Sequence, residues 1–482
     1  MGEYLNGLRR RVHFVGVGGI GMSGLAEILL NLGYEVSGSD LHASDITTRL
    51  EAYGLKFREG HEASQIELAE IVVVSAAVTD DNPEVVEARR RGLPVVHRAE
   101  LLADLLRLKP NAVVVGGSHG KTTTTSMISS ILDHANLGAT TIVGGILHRS
   151  GTNARWGTGD YIVAESDEHD GSFLRLHPTI AVVTNIDAEH LEYYGTLDRI
   201  QRAFVDFCNG IPFYGFSILC LDDANTRAVI PSIQSSVITY GFSDGVSLQA
   251  SKAELVGDAT RGTVAQRLAG LRTRFEVHAH DERLPFPARR GRLEIHALGD
   301  DNVRNALAAC AVGLCLGLSF GLIADGLRDF RGVRRRLQLC GEAGGVTVVE
   351  DYAHHPTEIT STLRAARLLN PGRILVVFQP HLYTRTKFFS REFGEALAAA
   401  DLALVTDIYG SREAPMPGVD AGLIVDSARA SGHTQVELLR DKQRVPEFLA
   451  REVRPGDLVL LLGAGNINQL AAPLLAAFEA RT

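Results

Sequence analysis

Two glycine-rich segments about a hundred residues apart have spacing that can grip phosphate. Gly16-Val17-Gly18-Gly19-Ile20-Gly21 follows the apolar run VHFV and opens a helical pattern, so it meets G-x-G-x-x-G in the setting that motif requires. Glycines let a diphosphate approach the backbone N–H groups at the positive end of a helix. Asp40, nineteen residues beyond Gly21, stands where a carboxylate could take ribose hydroxyls. Taken alone, this loop most often serves a nicotinamide dinucleotide, but a UDP-sugar presents the same diphosphate. The second segment, Gly117-Ser118-His119-Gly120-Lys121-Thr122, also lies between a strand pattern and a helix pattern and is followed by Thr123 and two more threonines. Its amides suit nucleotide phosphate oxygens, Lys121 can reach the β and γ oxygens, and the Thr122 hydroxyl can bind magnesium. Val115 occupies the first glycine position of the common form. Two phosphate loops on separate α/β units argue against a simple dehydrogenase, which needs one nucleotide.

Acids gather on the same predicted sheet edge. Glu165, Asp167, Glu168 and Asp170 follow YIVA, and Asp187, Glu189 and His190 follow IAVVTN. Strand C-termini of an open parallel sheet are where ligands bind, and these groups could hold magnesium against nucleotide phosphates. Farther on, Asp351-Tyr352-Ala353-His354-His355-Pro356 and His381-Leu382-Tyr383-Thr384-Arg385 also trail strand patterns. Adjacent histidines on a loop rarely converge on one ion, so no metal is assigned there.

The elements that must position these residues fall into three α/β series, at 1–108, 109–331 and 332–482. Short continuous β runs separated by amphipathic helices predict parallel sheets covered on both faces: a Rossmann-like N-terminal domain, a P-loop central domain and a Rossmann-like C-terminal domain. The stretch from about 244 to 297 shows no helical period and is expected to be irregular β structure. In the third series helices are expected at about Thr357 to Leu369, near Ser390 to Ala400 and near Lys442 to Val453. Ala306 to Ala324 is 19 residues without a charge but one reading holds best: small residues and Gly317 favour a broken, buried helix over a membrane span.

At 482 residues the length suits about three domains. A net charge of −9 argues against nucleic-acid or anionic-membrane surfaces built on positive charge. Cysteines 208, 220, 310, 315 and 340 show no C-x-x-C spacing and are expected to be small buried apolar residues. The N-terminus has no h-region and no cleavage site, which predicts a cytoplasmic protein. A monomer or a homodimer is expected.

The stretches GVGGIGMSG, GSHGKTTTT, AESDEHDGSFL, IPFYG, VEDYAHHPTEI, FQPHLYTRT and LGAGNI resemble the Mur ligase family, ATP-dependent amide ligases of bacterial cell-wall synthesis, from about Arg11 to Leu474. IPFYG and DYAHHPTE are similar to the member that adds L-alanine to UDP-N-acetylmuramate. The resemblance implies that Gly16, Gly18, Gly19, Ile20 and Gly21 hold a UDP diphosphate. It further implies that Gly117 to Thr123 serve ATP, that Glu165 joins Thr122 as a magnesium ligand while His190 holds a second magnesium, and that Asn305, Arg336 and Asp351 contact ATP. Tyr352, His354 and Arg385 match positions near the incoming amino acid. Later-acting relatives carry a carbamylated lysine where Phe204 stands, which fits the alanine-adding member. A recycling ligase that adds a preformed peptide to the same sugar is the alternative, and an NAD-dependent oxidoreductase a remote one.

Several residues depart from the family pattern: Ser118 for Thr, His169 for Ser, Glu189 for Asp, Asp301 for His and Leu382 for Arg. Asp301 weakens any adenine contact assigned there, and Leu382 removes one anion contact. None is a residue the chemistry requires. Because site residues are spread over three units, the third is expected to close on the others to shield an acyl phosphate, with Phe330 to Val333, which contains Gly332, as the joint.

Overall fold

The computed structural model describes residues 11–145, 151–411 and 413–481, so most of the N-terminal stretch read for a leader lies outside the described residues. Among the described residues, three sheets organise the chain. The first is parallel, with strand order Lys56–Glu59, Glu35–Asp40, Arg11–Val15, Ile71–Val74, Val95–His97. The central sheet has ten strands, among which Asn111–Gly116 lies between Ile180–Val183 and Tyr161–Glu165, parallel to both. The third has six, with Val346–Asp351, Leu458–Leu462, Ile374–Phe378 and Leu402–Val405 side by side and parallel.

The chain divides into two compact units. Among the described residues, the first holds those from 11 to 252, 275–293 and 304–331, and the second holds 253–274, 294–303 and those from 332 to 481. One apolar core explains why the first two sheets share a unit: Val12, Phe14, Leu25 and Leu102 belong to the same buried cluster as Val114, Phe173, Phe204 and Phe207. In the second unit, successive strand residues point to opposite faces. Val349, Val376 and Leu460 therefore meet one core, while Val348, Leu375 and Val459 meet another. Val264, Leu271 and Leu298 pack into the former beside Ile359 and Leu363, which is what draws their segments into this unit. Gly332, at the unit boundary, has a φ of +86°, a conformation that suits glycine.

Some expectations need correcting. The 244–297 stretch is regular: Leu248–Val256, Arg272–Ala279 and Arg290–Ile295 extend the central sheet, and Val264–Gly270 is a helix. That helix is too short to show a period, yet Thr263 and Gln266 form a capping box that announces it. The helix expected from Ser390 begins at Tyr383 and runs to Leu397 through non-helical geometry at Phe389, so Tyr383, Thr384 and Arg385 lie on a helix rather than a loop. Cys208, Cys220 and Cys310 are buried, but Cys315 and Cys340 are only partly so; all five are free. The 306–324 stretch breaks as expected, between helices Asp300–Cys315 and Phe320–Asp329. No helix among the described residues is long and apolar enough to cross a membrane.

A polar cluster lies buried under the first glycine loop. On the Arg11–Val15 strand, Val12 and Phe14 face the main core, which leaves His13 on the opposite face in register with Ser37. Glu84, at the start of helix Pro83–Arg90, meets His13 Nε2 at 2.5 Å, the Ser39 hydroxyl at 2.8 Å and His61 Nδ1 at 2.6 Å. Burial opposes its charge, but the hydrogen bonds with His13, Ser39 and His61 hold its carboxyl below the usual range. Ser39 in turn accepts the Gly16 and Val17 amides through its carbonyl. Glu84→Ala strands these groups in the interior and is expected to cost about 3 kcal/mol, read as a lower urea midpoint.

Candidate active site

The first loop is held from below and behind. Gly16 has a φ of +79°, and the helix Ile20–Asn31 starts at the loop's end. Asp40, the carboxylate suited to ribose, accepts the Gly18 amide at 2.8 Å and the Leu41 amide at 2.8 Å. Its visible work is therefore to shape the loop. Asn153 donates to the Ile20 carbonyl and to Ser23 Oγ, and Arg49 donates to the Gly151 carbonyl at 2.8 Å. These contacts tie the loop's helix, through Ile20 and Ser23, and the next helix Asp45–Ala52, through Arg49, to the segment around Gly151 and Asn153.

The second loop closes around Lys121. Gly117 and Gly120 have positive φ, +117° and +82°. A side chain at Gly117 would collide with Thr184 Oγ1, 2.2 Å from an ideal Cβ. Lys121 Nζ donates to the carbonyls of Gly117 at 2.6 Å and Ser118 at 3.0 Å and pairs with Glu168 Oε1 at 2.7 Å. Burial works against its charge, but Glu168, with Glu165 and Glu189, outweighs it and raises the ammonium above the ordinary lysine pKa. Thr122 Oγ1 donates to Glu165 Oε1 at 2.9 Å, while Glu165 Oε2 accepts the Gly144 amide at 2.6 Å. His119 lies 3.1 Å from Asp187, and Ser118 Oγ accepts the Asp187 amide at 2.7 Å. Asn305 reaches the same loop, accepting from Thr124 Oγ1 at 3.1 Å and lying so close to Gly120 that an added Cβ would meet it at 2.5 Å.

Three of the acidic-edge groups converge. Ligand atoms of Glu168, Glu189 and His190 lie within 4.8 Å of one another. Glu168 is almost wholly buried, and its Oε2 has no hydrogen-bond partner. Burial raises its carboxyl pKa, against the pull of Lys121 and His190. His190 is lifted above the ordinary imidazole value: burial opposes its charge, and Glu192, Glu168 and Glu189 overcome that. It sits at a φ of +56°, unusual for a residue with a Cβ. A buried carboxylate oxygen without a donor, beside a second carboxylate and an imidazole, fits a hard divalent cation. Phe204 is no part of this group; its ring packs 5.3 Å from that of Phe173 in the core, where a carbamate would have no solvent.

In the second unit the expected residues also cluster. Asp351 is buried and accepts the Leu337 and Ala353 amides at 2.7 and 2.8 Å; burial raises its carboxyl pKa. Arg336 lies 3.3 Å from Glu358 and 5.5 Å from the centre of the Tyr352 ring. His354 Nδ1 is 3.2 Å from Glu358, and its ring stands 5.9 Å from that of His381, which Arg385 approaches to 3.4 Å. Leu382 adopts a φ of +72° immediately before the helix, and Asp301 accepts from Ser361. Sequence reasoning missed Glu358, the carboxylate that gathers Arg336 and His354; its signal was its place four residues after His354 in the first turn of helix Pro356–Arg367.

Comparison with known proteins extends this picture to the whole chain. The Mur ligase catalytic domain matches residues 11–110, the Mur ligase middle domain 115–313, and the Mur ligase glutamate ligase domain 335–465. The UDP-N-acetylmuramate–L-alanine ligase of Anaeromyxobacter dehalogenans is 48% identical over 97% of this chain and 98% of its own. A crystal structure of the UDP-N-acetylmuramate-alanine ligase of Thermotoga maritima is similar with a TM-score of 0.79 and 27% identity, covering 98% of this chain and 100% of that one. A murein peptide ligase from Psychrobacter arcticus shares the fold, with a TM-score of 0.71 and 23% identity over 98% of this chain and 99% of that one. With both phosphate loops set between a strand and a helix and all three domains matched in order, the chain belongs to the Mur ligase family.

Proposed function

We propose that this protein joins L-alanine to the lactyl carboxylate of UDP-N-acetylmuramate with cleavage of ATP to ADP and phosphate, a cytoplasmic step in peptidoglycan precursor synthesis. The observation that carries this reading is the near-full-length 48% identity to an alanine-adding ligase, against 23% to the murein peptide ligase. The dehydrogenase reading of the first loop loses its ground, because the same chain carries a second phosphate loop.

Gly16, Gly18, Gly19, Ile20 and Gly21 take the diphosphate of the sugar nucleotide, near Asp40. Gly117 to Thr123 and Asn305 take the ATP phosphates, and Lys121 exchanges its loop carbonyls for phosphate oxygens. A carboxylate oxygen of the sugar attacks the γ-phosphorus and ADP departs. The neutral amine of alanine then adds to the acyl carbon, and the tetrahedral intermediate collapses with loss of phosphate. Thr122, Glu165 and His190, with Glu168 and Glu189 beside them, would hold magnesium, which supplies neutralisation of phosphate charge. Arg336 and Asp351 are assigned to ATP, and Tyr352, His354 and Arg385 to the amino acid.

The test is phosphate release across a panel of amino acids and a cell-wall tripeptide. Release is expected only with the sugar nucleotide present, and fastest with L-alanine. Preference for the tripeptide would assign the recycling reaction instead.

A further inference from the structure

Arg98 occupies a place that helix stability does not explain. It is the first residue of helix Arg98–Arg107, where the positive end of the helix dipole opposes a cation. Its guanidinium lies against the first glycine loop: a methyl group built on Gly21 would sit 2.9 Å from Arg98 Nη1. On its other side Nη2 donates to Asp167 Oδ2 at 2.6 Å, in the acidic loop that follows Glu165 and carries Glu168. The Arg98 side chain is 17% exposed, so it is largely withdrawn from solvent but open on one side. Asp167 has a second partner in His169, whose backbone amide donates to Oδ1 at 3.3 Å and whose Nδ1 lies 2.9 Å from that oxygen. Asp167 can therefore give up Arg98 and keep a partner.

The arginine thus stands between the loop assigned to the sugar diphosphate and the loop assigned to the phosphoryl-transfer centre. We propose that Arg98 is a recognition residue for UDP-N-acetylmuramate, which leaves Asp167 to bind an anionic oxygen of that substrate. This rests on the functional reading above. The anion is either the diphosphate or the lactyl carboxylate; a guanidinium fork suits both.

Calorimetric titration of the full-length protein tests it without ATP or turnover. Arg98→Met is expected to weaken UDP-N-acetylmuramate by about tenfold or more, with Arg98→Lys intermediate and ATP affinity within about twofold of wild type. UDP-N-acetylglucosamine, which lacks the lactyl group, locates the contact: a parallel loss assigns the diphosphate, and no loss assigns the carboxylate. Asp167→Asn removes the competing anion and is expected to tighten UDP-N-acetylmuramate by about two- to fivefold. A residue that merely bolted the two loops together would weaken binding in both variants. Wild-type affinity in Arg98→Met, or weakened affinity in Asp167→Asn, overturns the proposal, and the latter decides even if the former fails to fold. If wild type itself does not bind UDP-N-acetylmuramate, the functional reading has failed instead.

Discussion

Lys121→Ala is expected to reduce phosphate release by about a thousandfold while changing UDP-N-acetylmuramate affinity by no more than about twofold. Lys121 is the cation of the second loop, and its ammonium is held by two loop carbonyls and by Glu168. Phosphoryl transfer depends on charges placed in advance around the transferred group, and a deleted ammonium has no replacement. The sugar diphosphate is assigned to a different loop, shaped by Asp40 and the Ser39 carbonyl, neither of which touches Lys121. The substitution also removes the cation from buried Glu168. That carboxyl already has a raised pKa and can respond by taking up a proton, so local disturbance should stay small. Sugar binding by calorimetry serves as the folding control. Wild-type turnover with the control intact would overturn the ATP assignment.

Much of this arrangement was legible because the motifs depend on backbone geometry. Positive φ at Gly16, Gly117 and Gly120 requires glycine, so the spacing of those glycines in the sequence already describes the turns. The strands were legible because parallel sheets buried on both faces leave continuous apolar runs, as in Leu458–Leu462. What escaped were pairings across long sequence separations. Glu168 meets Lys121 across 47 residues, and Arg98 meets Asp167 across 69. No local periodicity encodes such contacts. Helix Val264–Gly270 escaped for a different reason, since seven residues give barely two turns and only its capping box carries a signal. The Tyr383 helix was misplaced because Phe389 interrupts its geometry, and the regular pattern resumes only after that point.

Removing a metal ligand should leave a signature distinct from removing Lys121. Glu165→Ala and His190→Ala are each expected to lower turnover by about a hundredfold and to raise the magnesium concentration needed for half-maximal rate by about tenfold. A cation held less tightly can be restored in part by supplying more of it, whereas a deleted ammonium cannot. Glu165 needs a finer test because it also has a structural task, bonding Thr122 Oγ1 with one oxygen and the Gly144 amide with the other. Glu165→Gln keeps a carbonyl oxygen for one of those bonds and removes the charge. If Glu165 only braces the loop, glutamine should recover most of the activity at ordinary magnesium. If it holds the cation, glutamine should be nearly as impaired as alanine and show the same rise in magnesium requirement. His190 provides the independent check, since its neighbours are Glu168, Glu189 and Glu192, whereas the bracing bonds to Thr122 and Gly144 belong to Glu165. Wild-type magnesium dependence in both alanine variants would reduce the acidic edge to a solvated turn and leave phosphate charge to Lys121 and the loop amides.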